Sequence, residues 1–337
     1  MAEINLGGVY TLVDLVKILN PTDGQALFVA QTLARSNPIV REVPIVEANQ
    51  ILQHIGSRQK SLPTVQKRAI NAGVPQSAHK EEQVTAPMSL FETASQIDEE
   101  ILRLAGANAE TVRQRKDAAF IEAMTQAVAD EIIYGSIGDD VLGFNGLATL
   151  FDSTTVYPNG DSSWYYNVID EGGTGSDTTS IWIIEWGVEK AHLIYPKNTM
   201  AGIEINDMGK QWVVDSGGTN KFWAFVTQFK WRCGLYVQDQ RCVGRLANIE
   251  SAGSTNTFDE DNLIRLIERL PRSGEDSMTR IYCNRTVKTQ MRIRAKDKAN
   301  MHWTDSVDAL SGKPVLRFDG IPVQVCDAIL NAETAIS

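Results

Sequence analysis

Residues 31–87 sustain neither the 3.6-residue period of a helix nor the strict alternation of a half-buried strand. Short β-capable pieces, such as residues 39–46, are separated by Gly56, Pro63, Gly73, Pro75 and Pro87. Stretches of this length without regular structure are uncommon inside compact domains, because every backbone N–H and C=O withdrawn from water needs a partner. The segment is therefore expected to be a long extended excursion that finds hydrogen-bonding and packing partners away from its own core. From Gly56 to His79 it carries Arg58, Lys60, Lys67 and Arg68 and no acidic residue. The residues alone leave two readings open: a solvated loop, or a basic arm laid on the acidic surface of a neighbouring copy, with these four side chains as inter-subunit contacts.

Around this excursion the pattern is regular. Thr11-Leu12-Val13-Asp14 has the form of a capping box, and Leu12, Leu15, Val16 and Leu19 recur at helical spacing until Asn20-Pro21. Beyond Phe91 a helical pattern resumes, with Asp98, Glu99 and Glu100 solvated and a break at Gly106. Asn108 is placed to cap a helix over residues 109–134, in which Phe120, Ile121, Met124, Val128, Ile132 and Ile133 form an apolar stripe. At 1.5 Å per residue such a helix is a rod of about 39 Å, suited to the spine of an elongated domain. Gly143-Phe144-Asn145-Gly146-Leu147 then turns the chain into a β-rich middle, with strands expected at residues 180–186, 190–195, 222–231 and 241–248. Its tryptophans, Trp182, Trp186, Trp212, Trp223 and Trp231, read as packing anchors and not as a base-stacking platform. Thr257-Phe258-Asp259-Glu260 is expected to cap a helix that buries Leu263, Ile264, Leu266, Ile267 and Leu270 before Pro271 ends it.

Charge and chemistry exclude several functions. A chain of 337 residues, 43% hydrophobic, is long enough for two lobes, since single cores stop growing near ~250–300 residues. Its net charge of -10 lacks the positive field that nucleic-acid binding requires. No run approaches the roughly 18 apolar residues of a membrane span, and Met1-Ala2-Glu3-Ile4-Asn5 has no signal-peptide character, so a cytoplasmic chain is expected. Cys233, Cys242, Cys283 and Cys326 form no Cys-x-x-Cys pair and read as buried thiols. No phosphate-binding loop, zinc-protease motif, nucleophile elbow or EF-hand is present, so no catalytic, metal or cofactor-binding residue is assigned. Gly172-Gly173-Thr174-Gly175 reads as a flexible surface loop, Asp139-Asp140 as a solvated turn, and His54, His79, His192 and His302 as isolated.

The end of the chain is the most specific region. Arg280-Ile281-Tyr282-Cys283 runs as a strand into Asn284, a good N-cap for a basic helix through Lys298. Asp319-Gly320 supplies the two positive φ values of a type I′ turn between Gly312-Lys313-Pro314-Val315-Leu316-Arg317-Phe318 and Ile321-Pro322-Val323-Gln324-Val325, so a hairpin should close the fold. These motifs resemble the end of tailed-phage major capsid proteins. The likeness to those of short-tailed phages of the epsilon15 kind extends through Thr179-Ser180-Ile181-Trp182, Ile194-Tyr195-Pro196-Lys197 and Arg241-Cys242-Val243-Gly244-Arg245-Leu246-Ala247-Asn248-Ile249, and spans nearly the whole chain.

The resemblance implies an α+β, HK97-like capsid fold. It implies an N-terminal arm at residues 1–44, an extended loop at 45–87, and a peripheral domain at 88–142 with its spine helix at 109–134. A mainly axial domain follows at 143–311, with some strands returning to the peripheral domain, and a C-terminal hairpin of the peripheral domain at 312–337. The expected function is a virion shell of pentamers and hexamers around double-stranded DNA, held without sequence-specific recognition and without a membrane, and assembled in the host cytoplasm. A separate scaffolding protein and a portal are implied as partners, and shells of this kind often recruit a cement protein. The lysine–asparagine cross-link of the founding member has no assignable counterpart here, which implies a non-covalent shell. The alternatives are an encapsulin-like nanocompartment of the same fold and, further off, an enzyme whose site assembles only in three dimensions.

Overall fold

The computed structural model describes residues 35–71, 73, 74, 76–154, 164–215, 219–253, 255–271, 278–297, 303–307 and 314–337. The helix expected at residues 11–19 lies outside them. The chain divides into two compact units, one holding residues 90–128 and 202–232, the other residues 35–89, 129–201 and 233–337.

In the first unit, strand β4 (Ser89–Asp98) leads into helix α2 (Glu99–Ala105), a 3-10 turn, and the first part of α3 (Ala109–Tyr134). The strand corrects the expectation of helix from Phe91. Its helix-forming Glu, Ala and Gln are overridden by pairing with β9 (Lys221–Val237), and its burial alternates in the manner of a strand, with Ser95 and Ile97 inward. The helix starts at Glu99, capped by the Asp98 carboxylate, which accepts from the Glu100 N–H at 2.8 Å. Strand β8 (Ile203–Val214) pairs antiparallel with β9 from Ile203 opposite Trp231 to Val214 opposite Lys221. Phe120 on α3 stacks on Phe229 with ring centroids 6.1 Å apart, and Met124 and Val128 are buried.

The second unit is built on a seven-stranded mixed sheet. Its strands are β5 (Val168–Asp170), β6 (Thr178–Glu185), β10 (Val243–Glu250), β11 (Thr279–Cys283), β12 (Trp303–Val307), β13 (Pro314–Phe318) and β14 (Ile321–Val325), in the order β12-β13-β14-β11-β6-β10-β5. Every residue of β6 is buried, the mark of a central strand covered on both faces. Helices α5 (Glu260–Arg269) and α6 (Arg285–Asp297) bring Leu263, Leu266, Ile267, Val287 and Met291 into one core with Ile181, Ile183, Ile281 and Phe318. A parallel pair, β1 (Ile45–Glu47) with β7 (Ala191–Tyr195), continues onto the last residues of β9, where Ala191 lies opposite Val237.

Several local expectations meet their structure here. Asn284 is buried, and its side chain accepts from the Val287 N–H at 2.8 Å and so caps α6. Asp319 and Gly320 have φ of 49° and 79°, and Phe318 pairs with Ile321 across the turn. The hairpin is joined to the seven-stranded sheet through β14 and β11. The N-cap of α5 is Asp259 and not Thr257; it makes no side-chain cap bond, and its own N–H donates to Glu171 Oε1. The glycine loop is fastened and not loose: Gly173 N–H donates to Asn248 O, and Asn256 Nδ2 to Gly172 O. The four cysteines are buried and unbridged.

A buried ionic cluster ties the tail into this unit. Glu333 Oε2 accepts from Arg245 at 2.9 Å and Ser180 at 2.5 Å, while Oε1 accepts from the Tyr134 hydroxyl at 2.6 Å. Arg245 also donates to Phe151 O and lies over the Trp182 ring. With nearly every donor and acceptor engaged, the charges can remain buried.

Candidate assembly surface

Within the excursion of residues 45–87, two strands form an antiparallel ribbon. Strand β2 (Gln53–Ser61) pairs with β3 (Lys80–Pro87), from Gln53 opposite Pro87 to Ser61 opposite Lys80, with one irregularity after Gln59. The backbone groups of the stem therefore find partners within the excursion itself, a correction to the expectation that they lie elsewhere. Polar residues occupy both faces of Gln-His-Ile-Gly-Ser-Arg-Gln-Lys-Ser, so the stem has no apolar alternation to announce it.

The base of the ribbon is clamped to its own chain. Asn49 holds Ile55 by two bonds, its Nδ2 donating to Ile55 O at 2.6 Å and its Oδ1 accepting from Ile55 N–H at 3.0 Å. Gly56 packs against Tyr236 so closely that a Cβ there would lie 1.8 Å from the phenolic oxygen, which requires glycine. His54 and His192 flank the same ring, with centroids 4.5 Å and 5.4 Å from that of Tyr236. Both imidazoles are held below the ordinary histidine range by burial, and His192 further by the neighbouring His54. This cluster was invisible in sequence because its members are far apart. A hollow of about 650 Å³ beside the base is lined by residues 49–53, Lys197 and Asn198.

The four basic residues do not form one patch. Arg58 turns inward, donating to Gln240 Oε1 at 3.1 Å and Val237 O at 3.3 Å within its own chain. The Lys60 side chain lies outside the described residues. Lys67 and Arg68 are exposed at the tip, where every described residue from 62 to 79 is exposed. Leu62, Val65 and Ile70 are among them, at 76%, 92% and 91% exposure, far more than a loop packed on its own chain would show.

Among the described residues no group of three or more His, Cys, Asp or Glu side chains could hold a metal ion. Burial pushes the Cys233, Cys242, Cys283 and Cys326 thiols up to about 12, which leaves them inert as nucleophiles at neutral pH.

A spine helix, a clamped ribbon, a mixed sheet and a closing hairpin define the HK97-like capsid fold. Over its length the chain is similar to the structure of bacteriophage epsilon15, with a TM-score of 0.73 and 23% identity, covering 100% of this chain and 99% of that one. The bacteriophage JBD30 capsid has a TM-score of 0.49 at 12% identity (88% and 93% covered), and the SrpI encapsulin of Synechococcus elongatus PCC 7942 has 0.46 at 12% (74% and 99%). A comparison with curated proteins gave no match. The model of the family described as major capsid protein GP7 matches residues 21–337, and the chain belongs to that family. As a member of that family it is a major capsid protein, a structural shell subunit and not an enzyme, and many copies of it form the capsid.

Proposed function

We propose that this chain assembles as pentamers and hexamers into an icosahedral shell around double-stranded DNA, each subunit reaching a neighbour through the tip of its ribbon. The observation that carries this reading is the contrast between the two ends of the ribbon. Its base is fixed by Asn49, Gly56 and Arg58, while its tip offers Lys67, Arg68 and large apolar side chains to solvent. Obligate shell contacts commonly bury ~2,000 Å² or more, and an exposed apolar and basic tip supplies part of such an area.

Within this scheme residues 1–44 serve as the N-terminal arm and 45–87 as the extended loop. Residues 88–142 form the peripheral domain, 143–311 the mainly axial one, and 312–337 the closing hairpin. Lys60, Lys67 and Arg68 contact the neighbouring copy. Assembly takes place in the host cytoplasm with a separate scaffolding protein and a portal, and a cement protein joins the finished shell. The net charge of -10 supports a wall that encloses DNA without gripping it by sequence.

Deleting residues 62–78 tests the reading. The shortened chain should keep its circular dichroism spectrum and cooperative melting, because the exposed tip contributes little to the core, and should lose closed particles. Normal particles from the deletion would refute it.

A further inference from the structure

The turn that follows the long helix has an unusual surface. Val141 and Leu142 are 83% and 81% exposed, directly beside the exposed Asp139 and Asp140. The turn is also tightly built. The Asp139 and Asp140 N–H groups both donate to Ser136 O, Gly143 N–H donates to Asp140 O, and Leu142 N–H donates to Asp140 Oδ1 at 2.9 Å. Behind it, Phe144 N–H donates to the Glu131 carboxylate, and a Cβ on Gly143 would lie 2.4 Å from that carboxylate's Oε1. The backbone thus holds two large apolar side chains in water with little freedom to turn them inward. A fixed apolar pair rimmed by charge has the character of a docking point whose conformational entropy is already spent.

We infer that this turn, residues 138–142, is the seat of the ribbon tip of a second copy of the chain, with Val141 and Leu142 against the tip's apolar residues and Asp139 and Asp140 facing Lys67 and Arg68. The inference rests on the ribbon reading above and names the surface the tip meets. The two surfaces match in both respects that govern association. The tip carries Lys67 and Arg68 with no acidic residue from Ser57 to Lys80, and exposes Leu62, Val65 and Ile70. Two other exposed apolar pairs lie beside lysines: Ile51 and Leu52 beside Lys197, and Trp212 and Trp223 with Lys210 over the Trp223 ring. In this turn two adjoining exposed apolar side chains meet two exposed carboxylates. Opposite charges at such a contact set register and partner choice, and like charges placed there oppose it.

The test is a charge swap read as the yield of assembled particles by sedimentation, with circular dichroism to confirm folding. K67E/R68E in the tip and D139K/D140K in the turn should each lower the yield by about tenfold, and the quadruple variant should recover most of it. V141S/L142S, which leaves the charges in place, should also lower the yield. A quadruple variant no better than either double, or V141S/L142S shells at normal yield, would overturn the inference. If the tip reversal lowers the yield and the turn reversal does not, the ribbon still reaches a neighbour but sits elsewhere, and this seat is wrong. If the tip reversal and the deletion of 62–78 both leave assembly intact, the ribbon reading itself falls.

Discussion

At the scale of single residues, the ribbon depends on the space left by one missing Cβ. G56A would place a methyl group against the Tyr236 hydroxyl, and overpacking of this kind costs about 1–3 kcal/mol. Chemical denaturation should report that loss, and Y236F in the same chain should return part of it. Glu171 offers a second residue-scale test. Burial, more than the nearby Asp259 and Asp170 carboxylates, raises its carboxyl to about 7, against the bonds it accepts from Asn262 and Asp259. A carboxyl that binds its proton more tightly when folded stabilises the fold at low pH and loses that contribution as pH rises from the ordinary carboxylate range to about 7. E171Q should therefore raise the denaturation midpoint relative to the unaltered chain at pH 8 and lose most of that advantage at pH 5. An equal difference at both pH values would exclude the linkage.

At the scale of elements, legibility follows how locally each element is determined. The spine helix was readable because its stripe, its breaks at Gly106 and Gly135 and its length are all local, and it occupies Ala109–Tyr134 as expected. The Asp319-Gly320 hairpin and the Asn284 cap are short-range chemistry and were equally plain. Strand β4 was misread because its helix-forming composition is overruled by a distant strand, and β8 was missed because most of its residues are exposed and Gly209 interrupts its register with β9. The ribbon stem, polar on both faces, left only an absence of period to read. Of the candidate contacts, Lys67 and Arg68 were legible as an acid-free stretch, while the inward turn of Arg58 depends on Gln240 and Val237, far along the chain. The helix stripe is testable: M124D would bury an unpaired carboxylate at a residue only 4% exposed, at a cost on the order of 3 kcal/mol or more. A folded M124D chain of normal stability would mean the stripe does not bear on the core.

At the scale of the whole molecule, function resides in surfaces that one chain cannot complete by itself. The interior holds apolar packing and polar pairs such as the Arg245–Glu333 cluster, and the surfaces where copies are proposed to meet expose Leu62, Val65, Ile70, Val141 and Leu142. The shell is expected to be held without covalent links, so denaturing electrophoresis of purified particles should give one band near 37 kDa, and a ladder of multimers would refute this. The most direct measurement is electron cryomicroscopy of assembled particles, with residues 62–79 traced in the map. The account predicts closed shells of five- and six-fold rings in which each ribbon tip lies across a neighbouring subunit. Shells in which the tip folds back on its own chain, or stands free in solvent, would contradict it.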